Sequence, residues 1–254
     1  MKKQFLIFPV LFFLAINNTF AWSKEGHELV AEYAKTYSSK SAQDSVNKYL
    51  GDMTWEKAAT WMDDVRSDHS YDYLKPTHYI NIEKDKTYVK TSEKNIMTEL
   101  ELVISELKNR KKLTKDEIAL DLRILFHLVG DLHMPLHAGY SEDKGGNTVD
   151  VNYNGKKMNL HHLWDGGLID GDKNFKSELE SLSKKLSPQE IKSLQKSDMV
   201  AWLNQSKALV ASCYDYKNGE ISDEYAKKNL PVIQKQILDA GVRLAGVLDE
   251  VFGK

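Results

Sequence analysis

Apolar residues recur at three- and four-residue intervals along most of this chain. Over 25–37 they fall at Leu29, Val30, Ala34 and Tyr37, and 41–50 continues in the same manner, so two packed helices are expected. A third, short helix is expected over 58–66. The aromatic segment SDHSYDYLKPTHYINI that follows keeps no period and contains Pro76, a breaker, which predicts a loop lining something. Residues 95–109 and 116–132 form long amphipathic patterns, the first with Leu100, Val103, Ile104 and Leu107 in phase. One stretch, 148–160, departs from the helical period: VDVNY alternates and Asn154-Gly155 is a type I′ turn signal, which predicts a small hairpin. Helix resumes after Asp165. Ser187-Pro188-Gln189-Glu190 joins an N-cap serine to proline at the first helical position and glutamate at the third, and 200–214 and 224–251 finish the chain. The expected class is mainly α, without repeats or low-complexity linkers.

The N-terminus changes the picture of where the protein works. Met1-Lys2-Lys3 precedes an apolar run over 5–16, and Thr19 and Ala21 stand where a signal peptidase reads small residues, so 1–21 is expected to be a signal peptide. Its apolar core of about 12 residues is too short for a membrane span, and no later stretch reaches the roughly 20 residues that spanning takes. A periplasmic or secreted protein is expected. Cleavage after Ala21 leaves 233 residues, read as one domain over 22–254. These hold 33 basic and 37 acidic residues, so no basic groove is implied and a polyanion must be held by something other than a lysine-rich face. Cys213 is the single cysteine and forms no disulfide within the chain, which leaves core packing and metal to hold the fold. Asn204-Gln205-Ser206 is a glycosylation triplet.

Candidate chemistry concentrates between Phe126 and Asp165, which hold five of the eight histidines. His127 and Asp131 are four residues apart, as are His161 and Asp165, a spacing that sets two side chains roughly 5–6 Å apart on one helical face and suits chelation. His137 lies ten residues beyond His127, about 15 Å along a continuous helix, and Pro135 kinks or ends that helix. His137 therefore belongs to a neighbouring site. Upstream, His27, Asp63 and His78 add further ligand candidates. Trp22 would be the first residue after cleavage, where its free amine and carbonyl oxygen can chelate a metal. His69, His133 and His162 fall outside the pattern and read as surface or supporting residues.

Taken in order, the N-terminal Trp-x4-His, the WxD segment, THYIN, HxxGDxxxPLH, the GGN triplet and NLHxxWD resemble the S1/P1 nucleases and, more distantly, the zinc-dependent phospholipases C. The resemblance spans Trp22 to Asp165. It implies a single-domain helical fold of the phospholipase C/P1 nuclease type and three zinc ions. One ion would take Asp63, His78 and His127; a second the Trp22 amine and carbonyl with His27; Asp131 would bridge these two; a third would take His137, His161 and Asp165.

Three zincs and three aspartates give such a site a charge of about +3, to which phosphate is drawn. A water between two zincs, its pKa lowered to about 7, would attack phosphorus in line, and the third zinc would steady the leaving 3′ oxygen. By resemblance, Asp63 and Arg66 are the pair most important to the chemistry, Arg66 as a forked clamp on phosphate oxygen. Tyr79 would stack a nucleobase. Asn81 stands where fungal members use an aspartate to bind the base, and Asn147 and Asn159 are substrate contacts or ordinary turn residues. The activity implied is hydrolysis of single-stranded RNA and DNA to 5′-phosphates, with 3′-nucleotidase activity, by a monomer needing no protein partner. Two other readings stand beside it. One is a phospholipase C, although those relatives generally end the motif in glutamate where this chain has Asp165. The other is a non-catalytic zinc-storing protein, which leaves Arg66 and Tyr79 unexplained.

Overall fold

In chain order the helices α1 (Lys24–Tyr37), α2 (Lys40–Leu50) and α3 (Trp55–Asp64) lead through 3₁₀ turns over His69–His78 to α4 (Ile96–Lys108) and α5 (Lys115–His133). A hairpin, β1 (Asp150–Tyr153) and β2 (Lys156–Asn159), precedes the single turn α6 (Leu160–His162), a π-turn over Leu163–Gly167 and the turn α7 (Leu168–Asp170). Then come α8 (Phe175–Ser183), α9 (Pro188–Lys196), α10 (Met199–Cys213), the two-residue β3 (Glu220–Ile221) and the long α11 (Asp223–Phe252). The computed structural model describes residues 22–196 and 198–253. The expected leader, 1–21, lies outside the described residues.

Several helices start where side chains can satisfy their free amides. Thr114 and Glu117 form a reciprocal capping box at α5, with the Glu117 carboxylate accepting from the Thr114 amide at 2.7 Å. Asn95 and Thr98 do the same for α4, and Ser187 with Glu190 caps α9 as its sequence predicts.

Two helices organise the core. From Ile124 to His133, every residue of α5 is buried, so this half of the helix is enclosed on all sides. The 30-residue α11, about 45 Å long at 1.5 Å per residue, runs past α1, α2, α5, α8 and α9. Pro231 falls early in α11 without ending it. The largest core side chains include Trp55, Phe126, Trp164, Trp202 and Phe175, all nearly inaccessible to solvent.

The hairpin pairs Asp150 with Asn159 and Tyr153 with Lys156. Its turn residues Asn154 and Gly155 have φ of +52° and +74°, as a type I′ turn requires. A third strand, β3, adds in parallel to β1, giving the order β2-β1-β3; at two residues it is too short to leave a periodic signal. Two other sequence expectations change in detail. Residues 69–78 are wound into 3₁₀ turns rather than irregular loop, and α3 stops at Asp64, so Arg66 lies just past the helix end. The Asn204-Gln205-Ser206 triplet falls inside α10, with Ser206 fully buried and bonded to the Leu132 carbonyl.

Candidate active site

The site is assembled from six places in the chain, gathered around the C-terminal half of α5. α1 supplies His27, α3 Asp63, the end of the 3₁₀ turns His78, and α5 both His127 and Asp131. Pro135 opens a short 3₁₀ turn after α5 that redirects the chain, so that His137 stands across from α6 and the π-turn, which carry His161 and Asp165. Ligand atoms gather into three groups: His27, Asp63 and His127; His78, His127 and Asp131; and His137, His161 and Asp165, with the atoms of each group within 4.8 Å of one another.

His127 belongs to the first two groups, and Asp131 lies against the histidines of both. One of its oxygens lies 3.3 Å from His27 Nε2, and the other lies 3.0 Å from His78 Nδ1 and 3.3 Å from His127 Nε2. His137 Nδ1 is 3.9 Å from the same carboxylate, which links the third group to the first two. Asp165 lies 3.8 Å from His137 Nε2 and 3.5 Å from His161 Nε2.

Backbone carbonyls fix the histidine tautomers. Nδ1–H donates to Ala59 O from His127 (2.7 Å), to His78 O from His137 and to Gly145 O from His161 (2.6 Å). Each of these rings is thereby oriented with Nε2 turned into the cluster, the arrangement by which supporting bonds prepare a histidine to ligate metal. Gly130 permits the approach of α1: a Cβ there would lie 2.8 Å from His27 Nδ1. Gly145, at φ +63°, has equally little room, since a Cβ would meet the Leu136 carbonyl at 2.3 Å.

The electrostatics call for cations. Burial opposes protonation of His127, yet the Asp131 and Asp63 carboxylates outweigh it and hold its pKa at about 9. Asp131 is likewise held well below the carboxylate range, its own burial overcome by His127 and His137. Asp165 is pushed well above that range by burial and then by Asp131 and Asp63. His161 is pushed down to about 3 by burial and by His137, so it is neutral, the form that donates a lone pair. Buried and without hydrogen-bond partners are both ring nitrogens of His27, Asp63 Oδ1, Asp131 Oδ1, His137 Nε2 and both oxygens of Asp165. Leaving one such atom unmade costs about 1–3 kcal/mol. A set of these all facing one another fits bound metal, and nitrogen with carboxylate oxygen is a donor set that divalent transition metals take.

Above the clusters opens a cleft of about 820 Å³, reached by His78, His137 and His161. Arg66 lines it, its Nη1 3.9 Å from Asp63 Oδ1, as do Tyr79, Asn81, Asn147 and Asn159. Tyr79 is 44% exposed, a large ring left open to solvent. Asn159 also caps α6 by accepting from the His162 amide, and the Asn147 side chain donates to the Lys144 carbonyl, so both turn roles are real while the cleft position remains. Lys75, Lys144 and Thr148 complete the walls; nothing in the sequence distinguishes these two lysines from the many others.

Trp22 is buried and sits with His27 against Gly130, and the Ser23 amide donates to the Asp165 carbonyl at 2.6 Å, so the start of the described chain is part of the site. Of the remaining histidines, His69 is exposed and His162 lies at the surface. His133, grouped with them by sequence, is instead fully buried and committed to Arg243.

The family model described as S1/P1 Nuclease matches this chain over residues 22–253. The chain belongs to the S1/P1 nuclease family. That makes it a hydrolase of phosphodiester bonds, in a metal-dependent family. Among curated relatives, the chain is 28% identical to "Endonuclease 2" of Arabidopsis thaliana over 98% of its own length and 96% of the relative's. It is 27% identical to "Nuclease S1" of Aspergillus oryzae, covering 91% and 92%, and 25% identical to "Nuclease P1" of Penicillium citrinum, covering 91% and 98%. The S1/P1 resemblance read from the motifs is thus established, and with it the mainly α architecture.

Proposed function

We propose that this S1/P1 nuclease is zinc-dependent, cuts single-stranded RNA and DNA to 5′-phosphate products, and removes 3′-phosphates from mononucleotides. The observation that carries this reading is the set of buried, unpartnered histidine and aspartate atoms beneath a cleft with cationic walls and an exposed tyrosine. Asp63, His78 and His127 would hold one zinc, the Trp22 amine and carbonyl with His27 a second, and His137, His161 and Asp165 a third, with Asp131 shared between the first two. When bound, the ions supply a nucleophilic oxygen at neutral pH and offset the charge on the phosphate.

The chain's own side chains do the rest. Arg66 donates to a phosphate oxygen, and the Asp63 carboxylate beside it keeps the guanidinium turned toward the ligand cluster. Lys75 and Lys144 add positive charge to the rim. Tyr79 presents a ring on which a base stacks, and Asn81, Asn147 and Asn159 offer amide groups to its edge. The ligating residues lie below the surface, so a phosphate reaches them only if its strand bends and its base swings out. A single strand does this readily and a duplex does not.

The reading includes export: 1–21 acts as a leader whose removal frees the Trp22 amine, leaving 22–254 as one catalytic domain in the periplasm or outside the cell, a monomer without a protein partner. Zinc content and hydrolysis of single-stranded RNA and DNA, compared between protein beginning at Trp22 and protein with one extra residue before it, test this. About three zincs and activity only with the free Trp22 terminus are expected. Equal activity in both, or two zincs in both, overturns the role of Trp22. Turnover of phosphatidylcholine vesicles comparable to that of RNA would make the protein a phospholipase C, and full zinc loading without hydrolysis a storage protein.

A further inference from the structure

Beside the cleft lies a second hollow of about 510 Å³, walled by the irregular segment that leads from the 3₁₀ turns into α4. The two cavities share Pro76, Tyr79 and Asn81, so the exposed Tyr79 forms a wall of both. Their charge differs. The cleft is lined by Arg66, Lys75 and Lys144 with no carboxylate among its lining residues. In the hollow, Glu83 and Glu93 are matched by Lys86 and Lys94, so it holds no net attraction for phosphate and suits an uncharged ligand. It does hold a hydrogen-bonding group without a partner: the hydroxyl of Tyr88 is buried and bonded to nothing among the described residues. Its volume falls within the range of small-molecule sites, roughly 300–1,000 Å³.

We propose that this hollow is a second nucleotide subsite, taking the base and sugar next along the strand from the one in the cleft, with Tyr79 standing between the two successive bases. The inference rests on the nuclease reading above, because only a polymeric substrate presents a second base at this distance. An aromatic wall common to two cavities can stack a base in each, and stacking discriminates little among sequences. Tyr88 supplies a directional contact, its hydroxyl meeting the base edge or the ribose. Substrates of more than one nucleotide therefore gain binding that mononucleotides lack.

The test compares kcat and KM for a 3′-mononucleotide and for a short single-stranded oligonucleotide in wild type, Tyr88→Phe and Tyr88→Ala. Tyr88→Phe should raise KM for the oligonucleotide about fivefold, the worth of one hydrogen bond, and Tyr88→Ala about tenfold or more, since the ring that walls the hollow is lost with the hydroxyl. Neither should change kcat or KM on the mononucleotide, whose unchanged hydrolysis also reports that the variants fold. An unchanged oligonucleotide KM in both variants, or equal losses on the two substrates, overturns the subsite while leaving the nuclease reading intact. A zinc-loaded wild type that cleaves neither substrate overturns both.

Discussion

Nη1 of Arg243 donates to Nε2 of His133 across 2.7 Å, in the buried space between α11 and the end of α5. His133 spends its other nitrogen on the Val129 carbonyl at 2.7 Å, and burial followed by the Arg243 charge pushes its pKa down to about 3. It is thus a neutral acceptor for an arginine and has no lone pair left for metal. The surrounding polar groups close the end of the helix: Gln236 donates to the His133 carbonyl at 2.7 Å and Ser206 to the Leu132 carbonyl at 2.6 Å. These are carbonyls that a helix terminus leaves without intrahelical partners. Arg243→Met strands His133 Nε2 and its neighbour Gln205, and should cost about 2–4 kcal/mol in urea unfolding. Metal content should not change; loss of a full equivalent would show that this buried network also holds the site's histidines in place.

Gly130 predicts a second effect. A methyl at this position must displace the His27 ring, because it would lie 2.8 Å from Nδ1. Gly130→Ala should destabilise by about 1–3 kcal/mol and, on the proposed ligand set, lower the metal stoichiometry that survives dialysis. Retention of all metal would mean that α1 shifts as a unit.

Asp131 lies between all the histidines of the first two groups, so its carboxylate cannot be lost from one without loss from the other. Asp131→Asn should lower kcat/KM on single-stranded RNA by about a thousandfold or more, since several ligand positions fail together. Chelation of the wild type should lower Tm markedly, because the metal's binding energy is part of the folding energy. A Tm that chelator leaves unchanged would show that the clusters fold without cations.

Arg66 and Tyr79 should separate in kinetics. Arg66→Ala should lower kcat by about a hundredfold if its donors serve the charge that develops on phosphate. Tyr79→Ala should raise KM by about tenfold, as for the loss of one stacked base. The reverse pattern would exchange their roles.

Asp121 gives a pH effect remote from the site. Burial, then the charges of Glu106, Glu117 and Glu99, pushes its pKa up to about 7 from an ordinary value near 3.8. The folded state therefore binds this proton more tightly than the unfolded state, and stability falls as pH rises from about 4 to about 7. Asp121→Asn should match wild type in urea unfolding near pH 4 and exceed it by about 1–3 kcal/mol at pH 8. A constant difference across that range would mean that Asp121 does not titrate there.

The helices were legible because their apolar residues keep the 3.6-residue period and their caps are local, as at Thr114, Asn95 and Ser187. That His137 stands apart from His127 was legible for a covalent reason, since Pro135 follows the end of α5 and turns the chain, whereas its grouping with His161 and Asp165 came from the family resemblance. His133 was not. Its burial depends on Arg243 and Trp202, which reach it from 110 and 69 residues away, and no local pattern encodes that meeting. The same holds for Lys75 and Lys144, whose shared cleft exists only once the 3₁₀ turns fold against the loop after α5. β3 escaped notice because two residues carry no alternation.

The bond from the Ser23 amide to the Asp165 carbonyl ties the residue just before α1 to the π-turn that carries one of the carboxylates of the site. Two segments more than 130 residues apart in sequence thus share one backbone clasp, and a change in the π-turn is transmitted to the start of the helix that holds His27 without passing through any side chain.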